Sequence, residues 1–300
     1  LLAVGVLSLA LEHPEGGDLP AWSAGAHVDL VFEGIGTAQY SLCGPRGDRH
    51  WRVAVLYQPE GRGVSRHIHR VLGPGDRVRV GLPRNHFSLE PAPAYLLLAG
   101  GIAITPTRSM TEAADSAGTP WRLAYGGRCR AAMAFVDELA ERSDRVRLFV
   151  RDEACRLPVG TLLAEADHGA AVYCCGPEGL IAAVQAESER LGRAAPHFER
   201  FSAAPGALRG ENSPFSVVLA KSGLTLEVGA GESIADVLDA HGVFIPTSCR
   251  QGVCGSCETR VRAGRIDHRD SILSEAEKER GDTMMVCVSR ACDDRLILDL

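Results

Sequence analysis

Over residues 1–92 the apolar positions come in short, β-rich runs: Ser8-Leu9-Ala10-Leu11, Val28-Asp29-Leu30-Val31-Phe32, Tyr40-Ser41-Leu42-Cys43, Trp51-Arg52-Val53-Ala54-Val55-Leu56-Tyr57 and Asp76-Arg77-Val78-Arg79-Val80. Turn formers separate them, among them Gly44-Pro45, Glu60-Gly61-Arg62-Gly63 and Gly73-Pro74-Gly75. Regularly spaced short strands without long helical patterns predict a small antiparallel β-barrel. The rhythm changes at Tyr95, where apolar runs begin to alternate with helical stretches. Tyr95-Leu96-Leu97-Leu98-Ala99 leads to a helix after Pro106, and Trp121-Arg122-Leu123-Ala124-Tyr125 to a helix around Phe135 and Leu139. Arg147-Leu148-Phe149-Val150 follows, and then Ala171-Val172-Tyr173-Cys174-Cys175 runs into a helix beginning at Pro177. Strand–helix alternation predicts a parallel sheet with helices on both faces.

Residues 202–213, rich in Ala, Pro, Gly, Asn and Ser, have the composition of a linker. Beyond them strands are predicted at 215–220 and 224–228, a helix capped by Ser233 with Asp236 three residues on, and a closing strand at 296–300. The chain therefore divides into a barrel (1–92), an α/β domain (93–203), a linker (204–213) and a third domain (214–300).

In the third domain Cys249, Cys254 and Cys257 are spaced C-x4-C-x2-C, and Cys287 follows far downstream. This is the plant-type 2Fe–2S spacing. Three thiolates on one tight loop can reach a two-iron cluster if the backbone curls around it, and Gly252 and Gly255 permit that curl. A structural zinc site is the alternative, although zinc ligands usually fall into two matched halves rather than three and one.

A second chemistry is predicted in the α/β domain. Gly100 and Gly101 sit where a buried strand hands over to a helix, and the helix start at Pro106 offers unpaired N–H groups to a pyrophosphate. Cys175-Gly176-Pro177 repeats that geometry at another strand end, as expected if both ends face one nucleotide. Each glycine turn alone is also an ordinary way to build an α/β domain.

The chain has 300 residues, 45% hydrophobic and 23% charged, which suits two or three soluble domains. Its formal charge of −6 argues against nucleic acid as a partner, and no segment is long enough to span a membrane. Ten cysteines, four of them assigned to metal, favour a reducing cytoplasmic setting over a disulfide scaffold. The chain opens Leu1-Leu2-Ala3 without an initiator Met, so a longer parent polypeptide is expected.

Seven motifs then stand in a family order: Tyr40-Ser41-Leu42-Cys43, Gly61-Arg62-Gly63-Val64-Ser65, Leu82-Pro83-Arg84-Asn85-His86-Phe87, Gly100-Gly101-Ile102, Ile104-Thr105-Pro106, Tyr173-Cys174-Cys175-Gly176-Pro177 and His197-Phe198-Glu199-Arg200-Phe201, followed by the cluster loop. With them the whole chain resembles the phthalate dioxygenase reductase family, and also the reductase portion of self-sufficient haem-thiolate monooxygenases. The resemblance implies a flavin-binding barrel with FMN, a ferredoxin-reductase-like α/β domain with NADH, NADPH remaining open, and a β-grasp plant-type ferredoxin domain carrying the 2Fe–2S cluster. It implies flavin contacts from Gln39, Tyr40, Ser41, Ala54, Val55 and Leu56, and an FMN phosphate cradle at Gly63, Val64 and Ser65. Thr105, Cys175 and Phe201 are implied at the flavin and nicotinamide. Gly100, Gly101, Pro106, Tyr125, Arg128, Gly176 and Pro177 are implied along the dinucleotide, and Cys249, Cys254, Cys257 and Cys287 as cluster ligands.

Two positions depart from the family pattern. Many relatives carry Arg where this chain has Ala38, which implies a weaker hold on FMN. Ala103 replaces the last glycine of a Gly-Gly-Ile-Gly run and crowds the nicotinamide side by one methyl.

The implied activity follows from electron counting. NADH delivers two electrons at once and an iron–sulfur cluster accepts one, so a flavin must stand between them. The expected role is a monomeric electron-transfer reductase serving a terminal oxygenase, either a separate Rieske-type dioxygenase or demethylase, or a haem domain of the same polypeptide. A bare electron carrier is disfavoured by the two domains ahead of the cluster. A direct oxygenase is disfavoured because no haem-thiolate segment or 2-His-1-carboxylate site is visible. His67, His69, His86, His197 and His268 are expected to be structural.

Overall fold

The computed structural model describes residues 1–142 and 144–300, which form two compact units, 1–199 and 200–300. The first unit opens with β1 (Val6–Glu12), β2 (His27–Phe32), β3 (Gly36–Ser41), β4 (His50–Leu56), α1 (Val64–Arg70) and β5 (Arg79–Val80). All pairings here are antiparallel: β1 with β4, and β3-β2-β5 as a three-stranded sheet, with an isolated bridge Leu42↔Val53 joining the two. Alternation along β4 sends Trp51, Val53 and Val55 into one core with Val28, Leu30, Leu42 and Ile68, while Ala54 faces a different core. Of the strand predicted at 76–80, only Arg79–Val80 pairs. The helix at Val64–Arg70 was not foreseen, because the glycines ahead of it read as loop.

The chain continues with β6 (Tyr95–Gly100), α2 (Ile104–Ala117), β7 (Trp121–Gly127), α3 (Val136–Ala140), β8 (Val146–Val150), α4 (Val159–Glu165), β9 (Ala171–Cys175), α5 (Glu178–Arg190) and β10 (His197–Glu199). The strands make a fully parallel sheet in the order β10-β9-β6-β7-β8. The pleat of β6 explains why helices cover both faces. Tyr95, Leu97 and Ala99 pack with Ile104 and Met110 of α2 and Leu139 of α3, whereas Leu96 and Leu98 pack with Leu162 and Leu163 of α4 and Ile181 and Val184 of α5. Cys43 and Ala54 of the antiparallel region belong to the first of these cores, so both regions form one unit.

The second unit contains β11 (Phe215–Leu219), β12 (Thr225–Val228), α6 (Ile234–Ala240), β13 (Glu258–Ala263), β14 (Ile266–Asp267), α7 (Glu275–Arg280), β15 (Thr283–Met285), β16 (Arg290–Ala291) and β17 (Arg295–Leu298). Its mixed sheet runs β12-β11-β17-β13-β15, with β11 and β17 parallel. Ser233 and Asp236 form the predicted capping box of α6, which buries Ile234, Val237 and Leu238 against Val217, Leu226, Met284 and Leu296. The last linker residues are pinned to this unit: Arg269 donates to Asn212 Oδ1 at 2.6 Å and to the Glu211 carbonyl at 3.0 Å, and Arg290 to the Ser213 carbonyl at 3.2 Å. Among the described residues no helix is long and apolar enough to cross a membrane.

Candidate functional site

The two glycine turns come together because β6 and β9 are neighbours, with Ala99 opposite Cys175. Gly100 and Gly176 lie back to back, so closely that a Cβ on Gly100 would stand 2.6 Å from Pro177 Cδ and 3.4 Å from Gly176 Cα. Gly101 has φ +62° with open space where a side chain would project, which leaves the strand ends bare for a ligand to approach along the backbone. Helix α2 starts at Ile104, so Pro106 sits in its first turn, where its missing N–H costs nothing. Thr105 is buried, and its hydroxyl donates to the Ile102 carbonyl at 3.0 Å.

Cys175 lies fully buried at the end of β9 and donates to Glu199 Oε2 on β10 at 3.8 Å. Burial and the Glu199 charge push its thiol well up, so it is a neutral group and not a nucleophile. The Glu199 residue is partly accessible, yet its carboxyl is enclosed, and burial pushes it up to about 8. Glu199 lies in the His197-Phe198-Glu199-Arg200-Phe201 motif, and its place beside Cys175 emerges only from the pairing of β10 with β9. Phe201 itself is exposed and belongs to the second unit.

Tyr125, expected at the nucleotide, is fully buried at the C-terminal end of β7, with burial pushing its phenol above the ordinary range. Its neighbour in the prediction, Arg128, is exposed just past β7. Arg130 nearby pairs with Glu153 at 3.5 Å.

The antiparallel region brings Gln39, Tyr40 and Ser41 along β3 and Ala54, Val55 and Leu56 along β4. Gln39 Nε2 donates to Asp29 Oδ1 at 2.7 Å, and Arg84 holds the other carboxylate oxygen at 2.7 Å. Burial pushes the Tyr40 phenol up to about 12 against the pull of nearby Arg62. The Val55 side chain fills the interior of the antiparallel region, which leaves its backbone for a ligand, and its carbonyl accepts from His69 Nε2 at 2.8 Å. Ala54 shares a core with Ala103, Ile104 and Cys175, and the turn Gly101–Ala103 touches β4, so the two predicted subsites are adjacent within one unit.

Gly63, at φ +105°, heads α1 with no side-chain cap. The first N–H groups of that helix, at Val64 and Ser65, thus have no side-chain cap, and the neighbouring residues Arg62 and Arg66 are exposed, a donor set that fits a phosphate. The Ser65 hydroxyl is turned to the Gln58 backbone, with its oxygen 3.2 Å from the amide nitrogen it accepts from. The predicted structural histidines pack accordingly: His197 stacks on Tyr173 with centroids 4.4 Å apart, His67 meets the Phe32 edge at 4.9 Å, and His268 lies 3.4 Å from buried Asp270.

In the second unit Cys249, Cys254 and Cys257 are buried and Cys287 half-buried. The thiols fall into pairs. A hydrogen bond from Cys249 to Cys254 pushes the first up and holds the second down at about 5, and a bond to Cys257 pushes Cys287 up. Cys254 also acts on Cys287, so the four thiols adjoin one another, as the plant-type 2Fe–2S loop requires. Gly252, at φ +68°, packs so tightly that a Cβ would stand 2.9 Å from Asp270 Cα. The Gln251 N–H donates to Cys249 Sγ at 3.3 Å, and Cys254 Sγ lies 3.2 Å from Ser256 Oγ.

Residues 217–292 match the family model for a 2Fe–2S iron–sulfur cluster binding domain. The chain is 43% identical to the phenoxybenzoate dioxygenase subunit beta of Ectopseudomonas oleovorans, over 98% of this chain and 93% of that protein. The structure of phthalate dioxygenase reductase, described as modular for electron transfer from pyridine nucleotides to 2Fe–2S, is 36% identical, with a TM-score of 0.72 over 100% of this chain and 95% of the other. An intact type IV self-sufficient cytochrome P450 monooxygenase is 40% identical, with a TM-score of 0.91 over 100% of this chain. This chain spans only 40% of that monooxygenase.

Proposed function

Since the chain belongs to the phthalate dioxygenase reductase family, we propose that this electron-transfer oxidoreductase takes a hydride from NADH on its parallel sheet and delivers single electrons through FMN and a 2Fe–2S cluster to a terminal oxygenase. The observation that carries this reading is the combination, in one chain, of four cysteines in a segment matching a 2Fe–2S domain with adjacent glycine strand ends and a β3–β4 surface. Bound flavin supplies the conversion from two-electron to one-electron transfer.

The chain's own residues then bind and orient. Gly100, Gly101, Gly176 and Pro177 admit the dinucleotide backbone, while the neutral Cys175–Glu199 pair borders the nicotinamide without adding a charge. Gln39, Tyr40, Ser41, Ala54 and Leu56 line the flavin, with Val55 contributing backbone, and the amides from Gly63 to Ser65 hold its phosphate with help from Arg62. Arg128 lies along the dinucleotide, and NADH is preferred over NADPH because Arg130 is already paired with Glu153. The antiparallel region acts as the flavin barrel and the second unit as a β-grasp ferredoxin, in a monomeric cytoplasmic protein.

Replacing Cys257 with Ser tests the order of carriers. The cluster absorption disappears and reduction of a one-electron acceptor protein falls to background, while NADH-driven ferricyanide reduction persists, because hydride transfer precedes the cluster. One zinc per chain, in place of two irons, would refute the assignment.

A Rieske-type dioxygenase or demethylase as a separate partner is the first reading, since the 43% identical relative is a separate subunit that this chain covers almost end to end. A second reading, service to a haem domain in the same polypeptide, is favoured by the TM-score of 0.91 to the self-sufficient monooxygenase.

A further inference from the structure

Helix α2 leaves the glycine turn and, one turn on, reaches back into the antiparallel region. Arg108 on that helix is buried, and its Nη1 donates to the carbonyl of Cys43, two residues beyond Ser41. Its Nη2 and Nε meet Glu138 Oε2 of α3 at 2.8 and 3.2 Å, and Nη2 also meets Glu112 at 3.0 Å. Arg52 of β4 grips the same Glu138 from the other region, Nη2 to Oε1 at 2.9 Å and Nη1 to Oε2 at 3.3 Å, while its Nε donates to Ser8 at 3.0 Å. Both guanidinium groups lie over the Phe135 ring, at 4.9 and 5.1 Å. Phe135 is buried at φ 64°, a conformation that costs energy for a bulky side chain and persists only where neighbours over-determine it.

A surface ion pair contributes little. Here one carboxylate joins two guanidinium groups from two regions across an aromatic face, which fixes geometry as well as charge. The grip is also close to the chemistry. Arg108 follows Thr105 by three residues, about 4.5 Å along the helix axis, and Cys43 follows the Tyr40-Ser41 pair directly along the chain. The next helix residue adds a second tie, as the Gly25 N–H donates to Ser109 Oγ at 3.1 Å.

We propose that Glu138, held between Arg52 and Arg108, is a positioning residue that sets the distance between the flavin strand and the nicotinamide turn. The inference rests on the reading above that FMN lies on β3 and β4 and nicotinamide at Gly100 and Gly101. Misplacing reacting atoms by an ångström costs up to about a hundredfold in rate. The Glu138→Gln protein keeps the shape of the side chain and loses its charge, and the Arg52→Lys protein keeps a charge and loses the two-pronged contact.

Both holoproteins are compared with wild type by stopped-flow flavin bleaching with NADH, by the long-wavelength absorption band of nicotinamide stacked on flavin, and by thermal midpoint. The expected result is a reduction rate roughly tenfold or more below wild type, a weakened band, and little change in NADH dissociation constant or flavin and iron content. The double variant is expected to be no worse than the poorer single one, because both break one clamp. A lowered thermal midpoint with unchanged rate and band overturns the clamp and leaves Glu138 a structural residue. A wild-type protein whose flavin NADH does not bleach overturns the underlying reading, and the clamp with it.

Discussion

The cluster loop and the nucleotide edge use the same device, glycine, for opposite ends. At Gly252 the missing side chain lets the loop press against Asp270, leaving no room at all. At Gly101 it leaves the strand end bare and open. The cluster site is therefore local and closed, three of its four cysteines lying within one loop, while the proposed nucleotide site is an edge assembled from β6, β9, β10 and α2. A local site should fail all at once when its loop is disturbed, and an assembled one should weaken by degrees.

Paired alanine substitutions put that contrast at risk. Gly252→Ala needs an L residue at φ +68° and drives a methyl to 2.7 Å from Val288 Cγ2 and 2.9 Å from the Asp270 backbone, so cluster content should collapse. Gly100→Ala presses on Pro177 Cδ and the Leu180 side chain; KM for NADH should rise several-fold, with iron content intact. Iron analysis beside NADH–ferricyanide kinetics reads both effects. Full iron in the Gly252→Ala protein would end the claim that the loop is closed.

A smaller effect separates the two regions by pH. The enclosed carboxyl of Glu199 is pushed up to about 8, so the folded state holds a proton that the unfolded chain releases above the ordinary carboxylate value near 4.5. Its contribution to stability is complete below that ordinary value and is lost as pH rises through about 8. The thermal midpoint of the first unit should fall over that window in wild type and fall less in Glu199→Gln. Parallel midpoint profiles for the two proteins would show that the carboxyl titrates in water.

The same contrast decides what could be read in advance. The 2Fe–2S domain was legible because C-x4-C-x2-C is itself the chemistry, and Ser233 with Asp236 was legible as a cap because the bond is local. The parallel sheet was legible from the pleat of buried strands, which β6 repeats on both faces. Glu199 escaped because β10 is three residues long, too short for a period, and acquires its meaning only by pairing beside Cys175. The burial of Tyr125 was not legible, since nearness in sequence to a strand end does not say which way a ring points. The contacts among Arg52, Arg108 and Glu138 were invisible for a plainer reason: they are far apart in the chain and meet only through packing.

The smallest expected effect concerns the partner. Residues 213–300 carry 14 Asp and Glu against 10 Lys and Arg, an excess that would steer a basic partner toward the cluster. Much of that acid is already spent within the unit: Asp236 pairs with Arg250, Asp293 with Arg265, Asp299 with Arg262, Asp267 with Arg269 and Glu275 with Lys278. These pairs cancel acid against base one for one and leave the net excess of acid unchanged, but ions screen its field over about 10 Å at 0.1 M salt. Electron delivery to a separate oxygenase should therefore fall only a few-fold from low to moderate ionic strength, while ferricyanide turnover, which needs no protein docking, stays level. A flat rate to the oxygenase would remove steering from the account and favour a haem domain carried on the same polypeptide, where no diffusional encounter is required.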